Sequence, residues 1–138
     1  LVQKIWTYHD YTTISVSALT DYLATRALEP GRRLQLLNRT RKIIKTNLPI
    51  LEKWLQSFDG LFSYQPPQAG AILFTAYNSE VNSTRLVEKI LQEKNVLLVP
   101  GDHFELDHHL RLGYGSPPDY LQAALDRVTE FLKEFIKK

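Results

Sequence analysis

Residues 99–115 read VPGDHFELDHHLRLGYG, and this stretch decides how the second half of the chain folds. Its Pro-Gly pair predicts the end of a strand, and its last seven residues, HLRLGYG, alternate with the period of two that indicates the next strand. In a strand, Leu110 and Leu112 point to one face and Arg111 points to the other. If the leucines pack against helices, the charged guanidinium faces away from the core.

Further strand signals precede this stretch. LFSY at 61–64 predicts a short strand, and VLLV at 96–99 predicts a buried one. The continuous apolar run AILFTAY at 71–77 predicts a strand that is buried on both faces, because a strand with one solvated face alternates instead.

Two helices are predicted between and after these strands. Residues 83–94 have helical apolar spacing, with a serine cap at Ser79 or Ser83 and an end at Asn95. The last helix has Ser116 as its N-cap and Pro117 at its first helical position. Its predicted buried face consists of Leu121, Ala124, Leu125, Val128, Phe131, Leu132 and Phe135.

From residue 61 onward the predicted order is strand, strand, helix, strand, strand, helix. This order predicts an α/β fold of the α+β two-layer sandwich type, in which helices cover one face of a small mixed sheet. A long connecting helix over residues 31–58 precedes the sandwich, with a kink expected at Pro49. Upstream of it, residues 1–17 read as extended or loop, and a short helix runs from the N-cap Ser17 to a stop at Pro30-Gly31.

Composition indicates an ordinary globular domain. Of the 138 residues, 43% are hydrophobic and 23% are charged, and the net charge is +2. The absence of cysteine excludes disulfides and thiolate metal sites and favours a cytoplasmic location. We find no signal peptide and no apolar run that could span a membrane. Because the chain contains no methionine, we expect it to be a piece of a longer protein.

The connecting helix is strongly basic. Eight Lys and Arg residues lie between Arg26 and Gln56, against Glu29 and Glu52. Such a surface is typical either of a solvated helix face or of nucleic-acid binding. We favour the solvated face, because no nucleic-acid motif accompanies the charges and Trp54 is the only aromatic residue among them.

Arg111 is the strongest candidate for a binding residue. A flat guanidinium on a rigid strand suits a carboxylate, which it can hold with two parallel hydrogen bonds. Gly113 and Gly115 follow it, and glycine allows a ligand or another backbone to come close. The alternative is an edge-strand arginine paired with a nearby Asp or Glu, and position alone favours that alternative.

The other chemical candidates are weaker. His103, His108 and His109 lie among acidic residues, as metal ligands do, but without any metal-site spacing, so we predict a polar loop and no metal. The lysines have solvent-facing spacing, apart from the ambiguous Lys4, and none has the buried setting that a Schiff-base lysine needs. We therefore expect no catalytic residue in this chain.

The run GAILFTAYN, STRLVEKILQEKNVLLVPGDHF, HLRLGYGSPPDYLQAALDRVTEFL resembles the C-terminal small domain of class I/II aminotransferases, which are fold-type I enzymes that use pyridoxal 5′-phosphate. The family shows a strand after a Pro/Gly loop, a helix, a "PG..F" pattern, a strand reading "lRl.y" and a final acidic-capped helix. All these parts occur here in order, and the resemblance covers essentially the whole chain.

The resemblance implies a role for one residue. In the family, the arginine of the "lRl" strand binds the substrate α-carboxylate, and here that residue is Arg111. Asp102, His103 and Phe104 match the loop beside the substrate, and the stretch that begins at Tyr11 matches a region near the dimer interface. The match assigns no cofactor-binding residue in this chain.

The resemblance also implies a domain organisation. Residues 1–30 would be an N-terminal segment with a short helix in the interdomain or dimer region, 31–58 the connecting helix and 59–138 the small domain. The large domain with the Schiff-base lysine would lie upstream. The parent would be a homodimeric transaminase that acts on an amino acid and a 2-oxo acid, while this fragment alone would be inactive.

Two alternatives stay open. The same scaffold also serves pyridoxal-phosphate-dependent lyases, decarboxylases and synthases. The chain could instead be a non-catalytic α/β module that binds a ligand or a protein. A lysine at the end of a strand in the upstream sequence would favour the enzyme.

Overall fold

The structure, a computed structural model, describes residues 1–135, with side chains through Glu134, and divides into a unit Leu1–Arg39 and a second unit that begins at Thr40. The helices of the described residues are α1 (Val2–Thr12), α2 (Ala18–Leu28), α3 (Pro30–Gln56), α4 (Ser83–Lys94) and α5 (Pro118–Phe135). The strands are β1 (Phe62–Tyr64), β2 (Ile72–Tyr77), β3 (Val99–Pro100) and β4 (His109–Gly113), with a 3-10 turn over Gly101–Phe104. Among these residues, no helix is both long and apolar enough to cross a membrane.

The first unit corrects one prediction. Residues 2–12 form helix α1, so the extended or loop assignment is wrong there. Hydroxyl residues suggested an extended chain, but here they bond within the helix: Thr7 Oγ1 donates to the Gln3 carbonyl (3.0 Å) and Thr12 Oγ1 to the Tyr8 carbonyl (3.2 Å). This local bonding lets threonine stay in a helix. Neither α1 nor α2 contains a buried residue.

Two prolines belong to the long helix, and Pro30 has a different effect from the one predicted. Helix α2 ends at Leu28, and Pro30 is the first residue of α3 rather than a stop. Proline is well tolerated there because the first N–H groups of a helix have no intrahelical partner. Pro49 lies inside α3, the helix continues past it to Gln56, and the kink expected there stays a prediction.

The sheet has the strand order β1-β2-β4-β3, and all three neighbouring pairs are antiparallel. The predicted mixed sheet is therefore wrong in this detail. Strands β2 and β3 do run in the same direction on either side of α4, but β4 lies between them and pairs antiparallel with both. Arg111 of β4 has Phe74 and Val99 as its direct partners on the two sides.

The two-layer α/β architecture is confirmed. One face of the sheet packs against helices in a single core that includes residues of α3, α4 and α5. Strand β2 alternates between buried and less buried residues, so the prediction of burial on both faces is wrong. Strand β3 covers only Val99–Pro100, and Leu97 is 73% exposed, so the predicted strand 96–99 is too long.

The helix ends largely follow the predictions. Helix α4 spans Ser83–Lys94 as predicted and ends at a left-handed Asn95, but its cap is Asn82, whose side chain accepts from the Arg85 N–H. Helix α5 begins at Pro118, one residue later than predicted. Its predicted inward residues lie in or against the core, except that the side chain of Phe135 falls outside the described residues.

Asn47 links helix α3 to the end of β4. This fully buried side chain donates from Nδ2 to the carbonyl oxygens of Tyr114 (2.8 Å) and Ser116 (2.7 Å). Its Oδ1 is buried and has no hydrogen-bond partner within the described residues. The Asn47 amide thus donates two hydrogen bonds. They satisfy the carbonyl groups of two residues in the segment that follows the end of β4 at Gly113.

Candidate functional site

The sheet face opposite the helices carries the candidate site. Leu110 (2% exposed) and Leu112 (4%) lie in the core, while Arg111 between them is partly buried on the other face, as the alternation predicts. Strand β4 is an inner strand, so the alternative of an edge-strand arginine is wrong. Within residues 1–135, Arg111 makes no ion pair and no hydrogen bond through its side chain. The structure therefore presents a cation on a rigid strand without a counter-ion from the described residues.

Three rings lie on the same face near Arg111. The ring of Phe74 stacks on that of His109 with a centroid distance of 5.1 Å and an interplanar angle of 14°. Phe104, from the 3-10 turn, meets Phe74 edge-on at 6.1 Å. We call Phe74, Phe104 and His109 the ring cluster. Nothing in the residue pattern predicted it, because it depends on the register of β2 against β4.

His109 has one nitrogen engaged. Its Nδ1 lies 2.8 Å from the carbonyl oxygen of Asp107. A carbonyl can only accept, so Nδ1 carries the proton in this contact and Nε2 is left as the second polar atom of the ring. The hydrogen bond and the stack on Phe74 together fix the plane of the imidazole.

The loop before β4 is held by two carboxylates. Asp107 accepts from the backbone N–H groups of Ser83 (2.7 Å) and His108 (2.6 Å) and from Asn82 Nδ2 (2.9 Å). Asp102 accepts from Thr84 Oγ1 (2.7 and 2.8 Å) and from the same Asn82 amide (3.0 Å). Both carboxylates thus satisfy donors at the N-terminus of α4, where negative charge is stabilising.

These contacts and the burial of a nearby tyrosine shift the pKa values of three side chains. Hydrogen bonds from the backbone N–H groups of Ser83 and His108 hold the pKa of Asp107 well below its usual range. The hydrogen bond from Thr84 is the main cause that lowers the pKa of Asp102. On the core face, burial and then the charges of Asp107 and Asp102 raise the pKa of Tyr77 to about 12. Tyr77 stays protonated, as its donation to the Val81 carbonyl requires.

The lowered carboxylate pKa values predict acid sensitivity. A group whose pKa is lower in the folded state stabilises the fold above its unfolded pKa of about 4, and this contribution is lost as pH falls further. We expect Asp107→Asn to lower the free energy of unfolding at pH 7, because the side chain loses its negative charge and, with Oδ1 kept on the two N–H groups, its new Nδ2 faces the donor Nδ2 of Asn82. The difference from wild type should shrink below about pH 4, as measured by urea unfolding between pH 7 and pH 3.

Asp59→Asn is the matched control for this measurement. Asp59 is exposed and forms no hydrogen bond within the described part of the chain. Its variant should unfold like wild type at every pH. A destabilisation by Asp107→Asn that stayed constant down to pH 3 would contradict the assignment.

The histidine loop does not assemble a metal site in the described residues, where no group of three His, Cys, Asp or Glu side chains could hold an ion. His109 lies on the open face, and His108 contacts the ring of Tyr77 edge-on at 5.9 Å. His103 is exposed. The acidic neighbours that suggested ligands are the carboxylates that hold the start of α4.

The glycines near the site have different surroundings, and the close approach of a ligand at Gly113 and Gly115 stays a prediction. A Cβ at Gly113 would meet nothing within 4 Å, and one at Gly115 would lie 3.2 Å from the Ala71 Cβ. Gly101 is the constrained position: its Cβ would lie 2.2 Å from the Leu106 carbonyl oxygen and 2.6 Å from the His109 Cβ. Its place after a proline suggested a turn but gave no sign of this close contact.

The basic residues of the first unit border a cleft. Arg26, Arg32 and Arg39 are among the residues that line a space of about 490 Å³ within Leu1–Arg39. Arg26 is already paired with Glu29. The preference for a solvated face over nucleic acid stays a prediction.

Comparison with known proteins identifies the family of the chain. The sequence profile described as "Aminotransferase class I and II" matches residues 10–128. The chain therefore belongs to the class I and II aminotransferase family.

Individual relatives agree with this family. A solved pyridoxal-phosphate-dependent aminotransferase from Streptococcus suis superposes with a TM-score of 0.86 at 33% identity, covering 94% of this chain and 34% of that one. The capreomycidine synthase of Streptomyces vinaceus is 28% identical over 96% of this chain and 33% of its own length. The aspartate aminotransferase of Thermotoga maritima is 27% identical over 88% of this chain and 30% of its own length. The chain thus spans about a third of the length of these relatives.

The described residues do not by themselves fit a site for pyridoxal phosphate. No lysine among them is buried, whereas a Schiff-base lysine needs a desolvated or cationic setting. Lys94, one of the less exposed, is paired with Glu130 at 3.3 Å.

Proposed function

We propose that this chain is the C-terminal part of a pyridoxal-phosphate-dependent aminotransferase, in which residues 59–138 form the small domain and Arg111 binds the α-carboxylate of the amino-acid or 2-oxo-acid substrate. The observation that carries the proposal is a guanidinium on an inner strand, partly buried, with no counter-ion within residues 1–135. Removing such a charge from water is unfavourable unless a partner compensates it, and a bound carboxylate would be that partner.

The chemistry of Arg111 follows from its shape. A guanidinium can donate two parallel hydrogen bonds to a carboxylate, which fixes the plane of the substrate as well as its position. The ladders to β2 and β3 on both sides of β4 hold the backbone of Arg111, so little orientation is lost when substrate binds. Pyridoxal phosphate, when bound, supplies the stabilisation of negative charge at the substrate α-carbon, and the protein supplies orientation and electrostatics.

Other parts of the proposal concern the whole protein. The Schiff-base lysine and the large domain would come from sequence outside this chain, the assembly would be a homodimer, and the isolated chain would be inactive. The coverage of about a third of each relative supports a longer parent. The lack of a buried lysine in the described residues supports the inactivity.

The test is an amino-transfer assay on the full-length protein. Incubated with pyridoxal phosphate and an amino acid, it should form one equivalent of the matching 2-oxo acid per active site, and continuous turnover should require a second 2-oxo acid as acceptor. The 138-residue chain in the same assay should form none. A full-length protein that binds no pyridoxal phosphate would refute the proposal and favour a non-catalytic α/β module.

A synthase, lyase or decarboxylase on the same scaffold is the second candidate, favoured by the similarity to capreomycidine synthase. Such an enzyme also needs its substrate carboxylate held, except that a decarboxylase must release it as carbon dioxide. The assay separates these cases, because a synthase or lyase converts the amino acid without passing its amino group to the acceptor.

A further inference from the structure

We propose that Asp59 and Gly60, in the turn between α3 and β1, form a modification site at which the aspartate converts spontaneously to isoaspartate. The class of enzyme that would act on the product is a carboxyl methyltransferase that recognises isoaspartate and uses S-adenosylmethionine. This inference goes beyond the proposed function and does not depend on it, because it concerns the backbone of a turn and not the reaction of the parent protein.

The conversion needs only the turn and water. The backbone nitrogen of Gly60 attacks Cγ of the protonated Asp59 carboxyl group, and the new C–N bond replaces the C–O bond as the hydroxyl and the N–H proton leave as water. Such an attack by an adjacent group is favoured because it is intramolecular. Water then opens the five-membered ring. Cleavage between nitrogen and Cγ restores aspartate, whereas cleavage of the original peptide bond leaves the chain connected through Cγ, with a free α-carboxylate.

The methyltransferase would act on that new carboxylate. One of its oxygens takes the methyl group from the sulfonium of S-adenosylmethionine, which leaves as S-adenosylhomocysteine. Aspartate in an ordinary peptide linkage has no α-carboxylate, so the methyl group marks only the converted residue.

The nucleophilic nitrogen is accessible. The Leu61 N–H donates to the Phe58 carbonyl at 3.1 Å, so the peptide between Asp59 and Gly60 is the central unit of a β-turn. Within residues 1–135, the Gly60 N–H donates no hydrogen bond. Gly60 has a φ of +68°, and a Cβ built there would meet nothing within 4 Å, so no side chain hinders the approach of the two groups.

The carboxyl group of Asp59 is exposed and forms no hydrogen bond or ion pair within the described residues. Asp102 and Asp107 are the contrast, because donors at the start of α4 hold both carboxylates and lower their pKa. Little of the protonated form that ring closure needs is then present. Asn82 precedes a small residue, but the Ser83 N–H already donates to Asp107 Oδ1 at 2.7 Å.

The remaining aspartates of the described residues lie in helices. Asp10, Asp21 and Asp126 are inside α1, α2 and α5, where the N–H of the next residue donates to the carbonyl four residues before it. Asp119 lies in the first turn of α5 and is followed by a tyrosine, whose side chain crowds the nitrogen. Among these aspartates, only Asp59 combines a free carboxyl group with a free nitrogen of glycine.

The experiment incubates the folded full-length protein for several weeks at mildly acidic pH and physiological temperature. Chromatography and mass spectrometry of its peptides, with labelling by an isoaspartyl methyltransferase, then measure isoaspartate at each aspartate. We expect the product at Asp59 to exceed that at Asp102 and Asp107 at least tenfold, since each unit by which a pKa is lowered reduces the protonated form about tenfold. Conversion leaves the peptide mass unchanged, whereas deamidation of an asparagine changes it.

Two variants of the turn are the controls. Asp59→Glu keeps the charge but would have to close a six-membered ring, so its peptide should contain no such product. Asp59→Asn should convert faster than wild type at neutral pH, because ammonia leaves the amide without prior protonation of a carboxylate. Its use as a control in unfolding experiments therefore requires freshly prepared protein.

The same incubation in urea shows what the fold contributes. Unfolding removes the donors from Asp102 and Asp107, so the excess of product at Asp59 over these two should fall several-fold. An excess that is unchanged in urea, or a folded protein without isoaspartate at Asp59, would overturn the inference. Failure of the amino-transfer assay would refute the proposed function and leave this result as it stands.

Discussion

Replacing Arg111 with lysine in the full-length protein is expected to lower kcat/KM for amino-acid substrates by about 100-fold, since one of two charge-assisted hydrogen bonds, each about 1.5–3 kcal/mol, is lost. The loss should appear in KM and also in kcat, because a point charge attracts the carboxylate without fixing its plane. Arg111→Gln should lose more, because the charge disappears as well. Steady-state kinetics with varied amino acid at saturating 2-oxo acid measure both constants.

Arg85→Lys is the matched control for this substitution. Arg85 lies exposed on α4, and only its backbone N–H takes part in a hydrogen bond that the structure records. Its lysine variant should keep wild-type kinetics. Kinetics of Arg111→Lys within twofold of wild type would remove the assignment of Arg111 as the carboxylate site.

Gly101→Ala is expected to destabilise the fold by about 3 kcal/mol, because overpacking a filled site forces neighbouring atoms to move. The added Cβ would come within 2.8 Å of three atoms, two of which are the backbone carbonyl oxygens of Leu106 and His109. Backbone atoms cannot rotate away as a side-chain tip can. The loop from the 3-10 turn to β4 must shift, so we also expect weaker substrate binding. Urea unfolding monitored by circular dichroism measures the first effect.

Gly113→Ala provides the comparison within the same strand region. A Cβ there meets nothing within 4 Å, and its backbone does not need positive φ. The change in unfolding free energy should stay within about 0.5 kcal/mol of wild type. Equal effects of the two alanines would show that the contacts at Gly101 are not what limits substitution there.

The sequence predicted those parts of the fold that follow from local periodicity. The alternation of Leu110, Arg111 and Leu112 was enough to place the guanidinium on the open face, and helical spacing was enough to place α4. Helix α1 was missed because its threonines bond back within the helix, which composition does not reveal. The antiparallel pairing of β4 with both neighbours was missed because strand order is a long-range property.

Within the candidate site, the sequence predicted only the positive charge of Arg111 on the open face of the sheet. The ring cluster joins Phe74, Phe104 and His109, which are far apart in sequence and meet through the β2–β4 register and the turn at Gly101. The two aspartates suggested metal ligands because their residue types fit, yet their oxygens cap a helix that begins about twenty residues earlier. Contacts of this kind depend on the folded chain and leave no periodic trace.

The buried amide of Asn47 has a mechanical consequence. By donating to the carbonyl groups of Tyr114 and Ser116 beyond β4, it couples this part of α3 to the end of the strand, so we expect the two to move together. A rotation of this part of α3 would then also displace Arg111, which lies three residues before Tyr114, because hydrogen bonds join the helix to the segment after the strand.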